Sequence, residues 1–248
     1  MTAMRLSAPL TEAWRTVVPA ADDPHRPLPP LLRGLTVVTG LVDAFSYLVL
    51  GHVFVANMTG NVVFLGFALA GASGFSLAAS LVALAAFGLG ALAGGRVSKR
   101  LGERRGRLLA VEACLVVASV VIAATVGDPG SGVARYLLIV LLGVATGTQN
   151  AAARKLAVPD LTTTVLTLTI TGIFADGRLA GGAASTLGQR LTSIASMFVG
   201  GLVGAVLVPH ADASLAIAAA AAILVVVAAA AALQSRTDRP VLGASQAP

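Results

Sequence analysis

Between Asp43 and Arg96 the chain has no Asp, Glu, Lys or Arg, and further uncharged runs cover 113–127, 136–153, 161–175, 191–211 and 213–235. A helix that crosses a bilayer needs ~20 mostly apolar residues. Six segments meet that length: 33–51, 76–97, 108–127, 136–155, 191–208 and 214–233. Two other apolar segments, 60–74 and 161–174, fall short of it. Each follows text that reads as unwound, HVFVANMTG before the first and LAVPDLTTT before the second, where Pro159 and Asp160 act as breaker and cap. The pattern predicts an all-α integral membrane protein with six transmembrane helices and two shorter segments that dip in and return.

Composition agrees. The chain of 248 residues is 56% hydrophobic and 11% charged, with a mean hydropathy of +0.88. A soluble domain carries about 25% charged residues to solvate its surface. A soluble enzyme and a disordered chain are therefore excluded, and so is a nucleic-acid-binding domain, despite the formal charge of +6. Residues 1–31 and 235–248 read as tails. The lone Cys114 sits in an apolar run as a filler, and His25, His52 and His210 have no metal-ligand spacing. No cofactor or metal is expected.

The charges serve topology. If all eight apolar segments crossed, the basic loop 96–107 would lie opposite the amino terminus and the cations would divide almost evenly. If only six cross, Arg135 alone among the 17 Lys+Arg falls outside, which is the positive-inside rule obeyed. The expectation is a multi-pass protein of a bacterial cytoplasmic membrane with both termini cytoplasmic, its partners being the lipid bilayer and a small solute, with no nucleic acid.

The text repeats itself. GLVDAFSY and then ANMTGNVV in the first half correspond to GTQNAAAR and then PDLTTTVLTLT in the second, aligning Asp43 with Asn150. Later in each half comes a small-residue seam, Gly90 and Gly94, then Gly200 and Gly204, at the GxxxG spacing that lets helices approach closely in lipid. Such seams serve packing within the chain or a homodimer. Three spans per half, an odd number, make 32–127 and 128–234 two inverted repeats, an architecture common among secondary transporters.

DAFSYL, VFVANMTGNVV, TGTQNAAARKL and PDLTTTVLTLT also carry a resemblance. Over roughly residues 30–235 the chain resembles the YoaK family of small bacterial membrane proteins, a family of unknown function. The resemblance implies a polytopic inner-membrane protein and no particular activity.

Candidate chemistry must come from the residues. Thr36, Thr39, Gly40, Asp43, Ser46 and Tyr47 recur at three- and four-residue steps, a polar stripe down one helical face. A carboxylate midway along a span costs at least ~2.5–3.5 kcal/mol and commonly marks an ion path or a proton relay; the alternative for Asp43 is hydrogen-bonded packing. Gly143, Thr146, Gly147, Asn150 and Arg154 form the matching stripe, with Gln149 beside it, while Arg154 and Lys155 read as cytoplasmic anchors. Six extended residues, 52–57, reach about 20 Å, enough to return to the midplane. Asn57, Thr59 or Asn61 would cap the first half-helix and Thr162, Thr163 or Thr164 the second, with Thr167 also among its binding candidates. Facing helix N-termini suit an anion or a carbonyl oxygen.

Glu112 is expected to pair locally with Arg107 or a neighbour. No nucleophile–base pair supports an enzyme. The reading is a small transporter or permease for a polar or anionic solute, proton-linked through Asp43, the alternative being a non-transporting membrane scaffold or assembly protein.

Overall fold

The computed structural model describes residues 28–101, 105–156, 166–177, 180–182 and 186–237. Eight helices occur among them: α1 Leu28–Val49, α2 Met58–Leu69, α3 Leu77–Leu101, α4 Arg105–Thr125, α5 Gly132–Leu156, α6 Leu166–Ala175, α7 Leu187–His210 and α8 Ser214–Thr237. There is no strand among the described residues. With no water in the hydrocarbon to bond backbone groups, helices satisfy every N–H and C=O within the segment.

Five helices are long and apolar enough to cross a membrane: α1, α3, α5, α7 and α8. The helix of the expected third span, α4, is apolar over its described side chains, Leu109–Thr125. The first short segment forms α2, of 12 residues, which at ~1.5 Å per residue reaches about 18 Å, well under the ~30 Å hydrocarbon core; of the second, the described part is α6, of 10 residues.

Helices α1, α8, α4 and α5 form a closed ring in which each packs on the next. Outside it, α3 lies along α5 and α7 along α1, while α2 leans on α3 and α6 on α7. The core lies inside the ring, built from Leu35, Val38, Val42 and Phe45 of α1, Leu138 and Leu142 of α5, and Ile217 and Leu224 of α8. Large apolar side chains such as Leu89, Leu92, Phe198, Leu202 and Val226 face outward, as lipid-facing surfaces do.

The seams explain the closest approaches. A Cβ on Gly90 would collide with the Val144 backbone of α5, and one on Gly94 would meet Thr148 at 3.0 Å. Gly200 meets the Val37 carbonyl of α1, and a Cβ on Gly204 would lie 2.7 Å from the Ala44 side chain. All four glycines are thus spent on crossings inside the chain, where the missing side chain lets backbones touch.

Candidate functional site

The site starts where α1 ends. Gly51 and His52 both take left-handed backbone conformations, with φ of 82° and 54°. This turns the chain back on itself, a conformation natural for glycine and costly for histidine. His52 is held there by its Nδ1, which donates to the Gly74 carbonyl at 2.8 Å, and by an edge-on contact with Tyr47. Arg135 at the start of α5 donates to the Leu50 carbonyl at 2.7 Å and fixes the same corner.

Residues 53–57 then run back along α1 without helical bonds, and their polar backbone groups must find partners elsewhere. Asp43 supplies them. Its Oδ1 accepts the N–H of Val55 at 3.0 Å and of Ala56 at 2.8 Å, and its Oδ2 accepts the Asn57 side-chain amide. Asn61, fully buried in the first turn of α2, grips the residue before: its Oδ1 takes the Phe54 N–H at 2.9 Å and its Nδ2 donates to the Phe54 carbonyl. The Thr146 hydroxyl of α5 donates to the Val55 carbonyl. Tyr47 stacks on Phe54 with ring centroids 5.1 Å apart.

Asp43, Tyr47, Asn57 and Asn61 are therefore brought together, on α1, the extended stretch and α2. Thr59 is not, since it points outward from α2. Asn57 flanks α2 without capping it by its side chain, because that side chain is given to Asp43. The half-helix N-terminus expected to hold an anion already has one: the Asp43 carboxylate occupies the N–H groups just before it.

The second-half residues are placed differently. Asn150, the counterpart of Asp43, donates to the Thr146 carbonyl of its own helix at 2.9 Å. Gln149 is buried and spans to α1, donating to Thr39 Oγ1 at 3.0 Å. Thr167 is exposed on α6. Thr162, Thr163, Thr164 and the expected extended run 156–161 beyond Leu156 lie outside the described residues. Arg154 is exposed at the end of α5. The expected local pairing of Glu112 with Arg107 does not form, because both Glu112 carboxyl oxygens are buried and without a hydrogen-bond partner.

Beside Asp43 opens a cavity of about 370 Å³ between α1, α7 and the extended stretch. Asp43, Tyr47, Phe54 and Asn57 form one wall; Met197 and Gly201 of α7 form the other. No Lys or Arg lines it. Thr146 and Gly40 were legible as members of the polar stripes. The α7 wall gave no polar signal, since Met197 and Gly201 sit beside the Gly200 seam as apolar and small residues.

This architecture is that of a helical membrane protein, and the family is shown by comparison: a family model described as "Protein of unknown function (DUF1275)" matches residues 31–230, and the chain belongs to that family. It is 35% identical over 156 residues to the UPF0700 transmembrane protein YoaK of Bacillus subtilis (strain 168), an alignment covering 60% of this chain and 68% of that protein. No solved structure matches the chain.

Proposed function

We propose that this chain is a small secondary transporter or permease in which Asp43 is a proton-sensitive latch. The observation that carries this reading is the double position of Asp43, on the wall of the cavity and at the same time on the backbone of the stretch that lines it. An ionised Asp43 accepts from three donors. Protonation removes the charge that strengthens these bonds and adds an O–H facing N–H groups, which weakens the hold on one or more of them. A weaker hold loosens residues 55–57 and the start of α2, so protonation and solute binding act on one segment and each biases the other.

The chemistry of the wall favours a particular solute class. The backbone donors that would attract an anion are engaged by Asp43, and no cation lines the cavity. A neutral or positively charged small solute that is apolar over most of its surface, offering a donor to Asp43 and a face to Tyr47 and Phe54, fits this mostly apolar wall better than an anion.

Several contacts support the re-entrant course of α2. Val55 and Ala56 lie at the depth of Asp43, six residues before the end of α1, while Gly74, past the end of α2, returns to His52 at that end. The helix pairings support inverted repeats: exchanging α1–α4 with α5–α8 turns the α3–α5 contact into α7–α1, and α4–α5 into α8–α1, all of which occur. With six crossings, the distribution of Arg and Lys favours a bacterial cytoplasmic membrane with both termini inside. The scaffold alternative loses its motif, because the four seam glycines are engaged within the chain.

The test is a screen of small solutes for a thermal shift of the purified protein, followed by uptake into vesicles under a pH gradient. Solute-dependent stabilisation whose pH dependence disappears in Asp43→Asn supports the latch. A folded Asp43→Asn protein that binds and transports with unaltered pH dependence removes it.

A further inference from the structure

The ring of α1, α8, α4 and α5 contains a second carboxyl group, which the latch does not use. Glu112 of α4 is 1% exposed, and neither of its oxygens has a hydrogen-bond partner. Its neighbours on the same helical face are Val116 and Ser119, and the Ser119 hydroxyl is turned to the Leu115 carbonyl of its own helix. The inward residues of α8, the helix α4 packs against most, are Ala216, Ile217, Ala220, Ala221 and Leu224.

The charged groups on the helices around α4 leave Glu112 unpaired. On α3, Arg96 is exposed; on α5, Arg135 is committed to the Leu50 carbonyl and Arg154 is exposed. As far as Leu233, α8 has no ionisable side chain. Asp43 and Arg33 are buried on α1, across the ring; Arg33 donates to the Gln189 carbonyl at 3.4 Å through one nitrogen, while its Nε and Nη1 are buried without a partner and form no ion pair with Glu112. The side chains of Lys99, Arg100, Arg105, Arg107, Lys155 and Arg236 lie outside the described set.

An ionised carboxylate in an apolar interior without a single donor is among the costliest arrangements in a protein. A neutral acid is far cheaper there, yet its unpaired O–H still makes it inferior to a leucine of similar size. A group kept at such a cost fits a role in proton exchange better than a role in packing.

Its position agrees. Glu112 lies seven residues into α4 and Gln149 seven from the end of the antiparallel α5, so both stand about 10 Å from the same end of the bundle. Gln149 Oε1 is the other buried, unpartnered side-chain oxygen of the ring among the described residues, and the amide of the same side chain bonds Thr39, one turn before Asp43. Gln149 thus bonds to α1 one turn from Asp43, so buried polar groups occur in the ring both at the level of Glu112 and at that of Asp43.

We propose that Glu112 is a proton-binding site, a neutral carboxylic acid in the closed ring that exchanges its proton when α4 and α8 part. The proton-binding chemistry stands by itself; its use as the inner station of a proton path to Asp43 rests on the transporter reading.

Infrared spectroscopy of the full-length protein in lipid bilayers tests it. The carbonyl band of a protonated carboxyl should be present at neutral pH and should shift on ¹³C-glutamate labelling of the wild-type protein. The other two glutamates, Glu12 and Glu103, belong by sequence to the tail and the basic loop, where an ordinary carboxyl is ionised at that pH. The band should be lost in Glu112→Gln and kept in Asp43→Asn, and Glu112→Leu should melt at a higher temperature than the wild type. Absence of a label-sensitive acid band at neutral pH overturns the proposal, as does a lowered melting temperature in Glu112→Leu. The band together with an absence of proton flux in vesicles keeps the site and overturns only its role in transport.

Discussion

Asp43 and Thr146 hold one residue between them: the carboxylate of α1 accepts the Val55 N–H at 3.0 Å, and the hydroxyl of α5 donates to the Val55 carbonyl. The two helices belong to different halves of the chain. Besides the direct Gln149–Thr39 bond, they meet through the backbone of an extended stretch caught between them.

Breaking the clamp at Asp43 should be expensive. Asp43→Leu leaves two buried N–H groups and the Asn57 amide without an acceptor, at roughly 1–3 kcal/mol for each unsatisfied group. A melting temperature in detergent well below the wild-type value is expected, with Asp43→Asn intermediate because it keeps one acceptor oxygen. Equal melting temperatures for wild type and Asp43→Leu would remove the clamp.

Thr146→Val orphans the Val55 carbonyl and should cost about 1 kcal/mol. Because Asp43 and Thr146 act on the same peptide stretch, the double variant Asp43→Asn with Thr146→Val should be less destabilised than the two single effects added together. Additive effects in denaturant titrations would mean that the two residues work independently.

The glycines divide cleanly. Gly90→Ala pushes a methyl group into the Val144 backbone, and Gly200→Ala into that of Val37. Each should destabilise by about 1–3 kcal/mol. A Cβ on Gly88 of α3 meets nothing within 4 Å, so Gly88→Ala should be neutral or gain up to ~1 kcal/mol from helix propensity. Thermal melts of the three variants check the contrast.

Topology can be read by labelling single cysteines in a Cys114→Ser background with a membrane-impermeant thiol reagent. Positions in 98–107 and 178–190 should react from one side, and positions near Gly74 and Gly130 from the other. If 98–107 and 178–190 appear on opposite faces, the segment 161–174 crosses and the six-span arrangement is wrong.

Asp212 lies in the turn between α7 and α8, outside the spans. Its Oδ1 accepts the Ser214 N–H at 2.8 Å, and this backbone bond, with help from the Ser214 side chain, holds its carboxyl below the usual carboxylate range. A depressed folded-state value stabilises above the unfolded value, and that contribution is lost as pH falls through the folded one. Melting temperatures of wild type and Asp212→Ala should therefore differ slightly at neutral pH and converge in acid. A gap that persists into acid would assign the effect to something other than this carboxylate.

The sequence by itself determined the class, the helices and their small-residue seams. Uncharged runs long enough to cross a bilayer, separated by basic loops, leave the chain no other medium, and helix ends fell within a few residues of the apolar boundaries because charge and turn residues stop burial locally. Asp43, Asn57 and Asn61 were legible as candidates, since a carboxylate and two amides in apolar text demand partners. What they bind was not legible. Only tertiary structure decided that Asp43 serves the backbone twelve and thirteen residues ahead, that Thr146 from the other half completes the grip, and that Glu112 stays unpaired. Hydrogen bonds are short and directional, so a partner is fixed by how helices cross and where a chain turns back; periodicity shows which face a side chain occupies but not what stands opposite it.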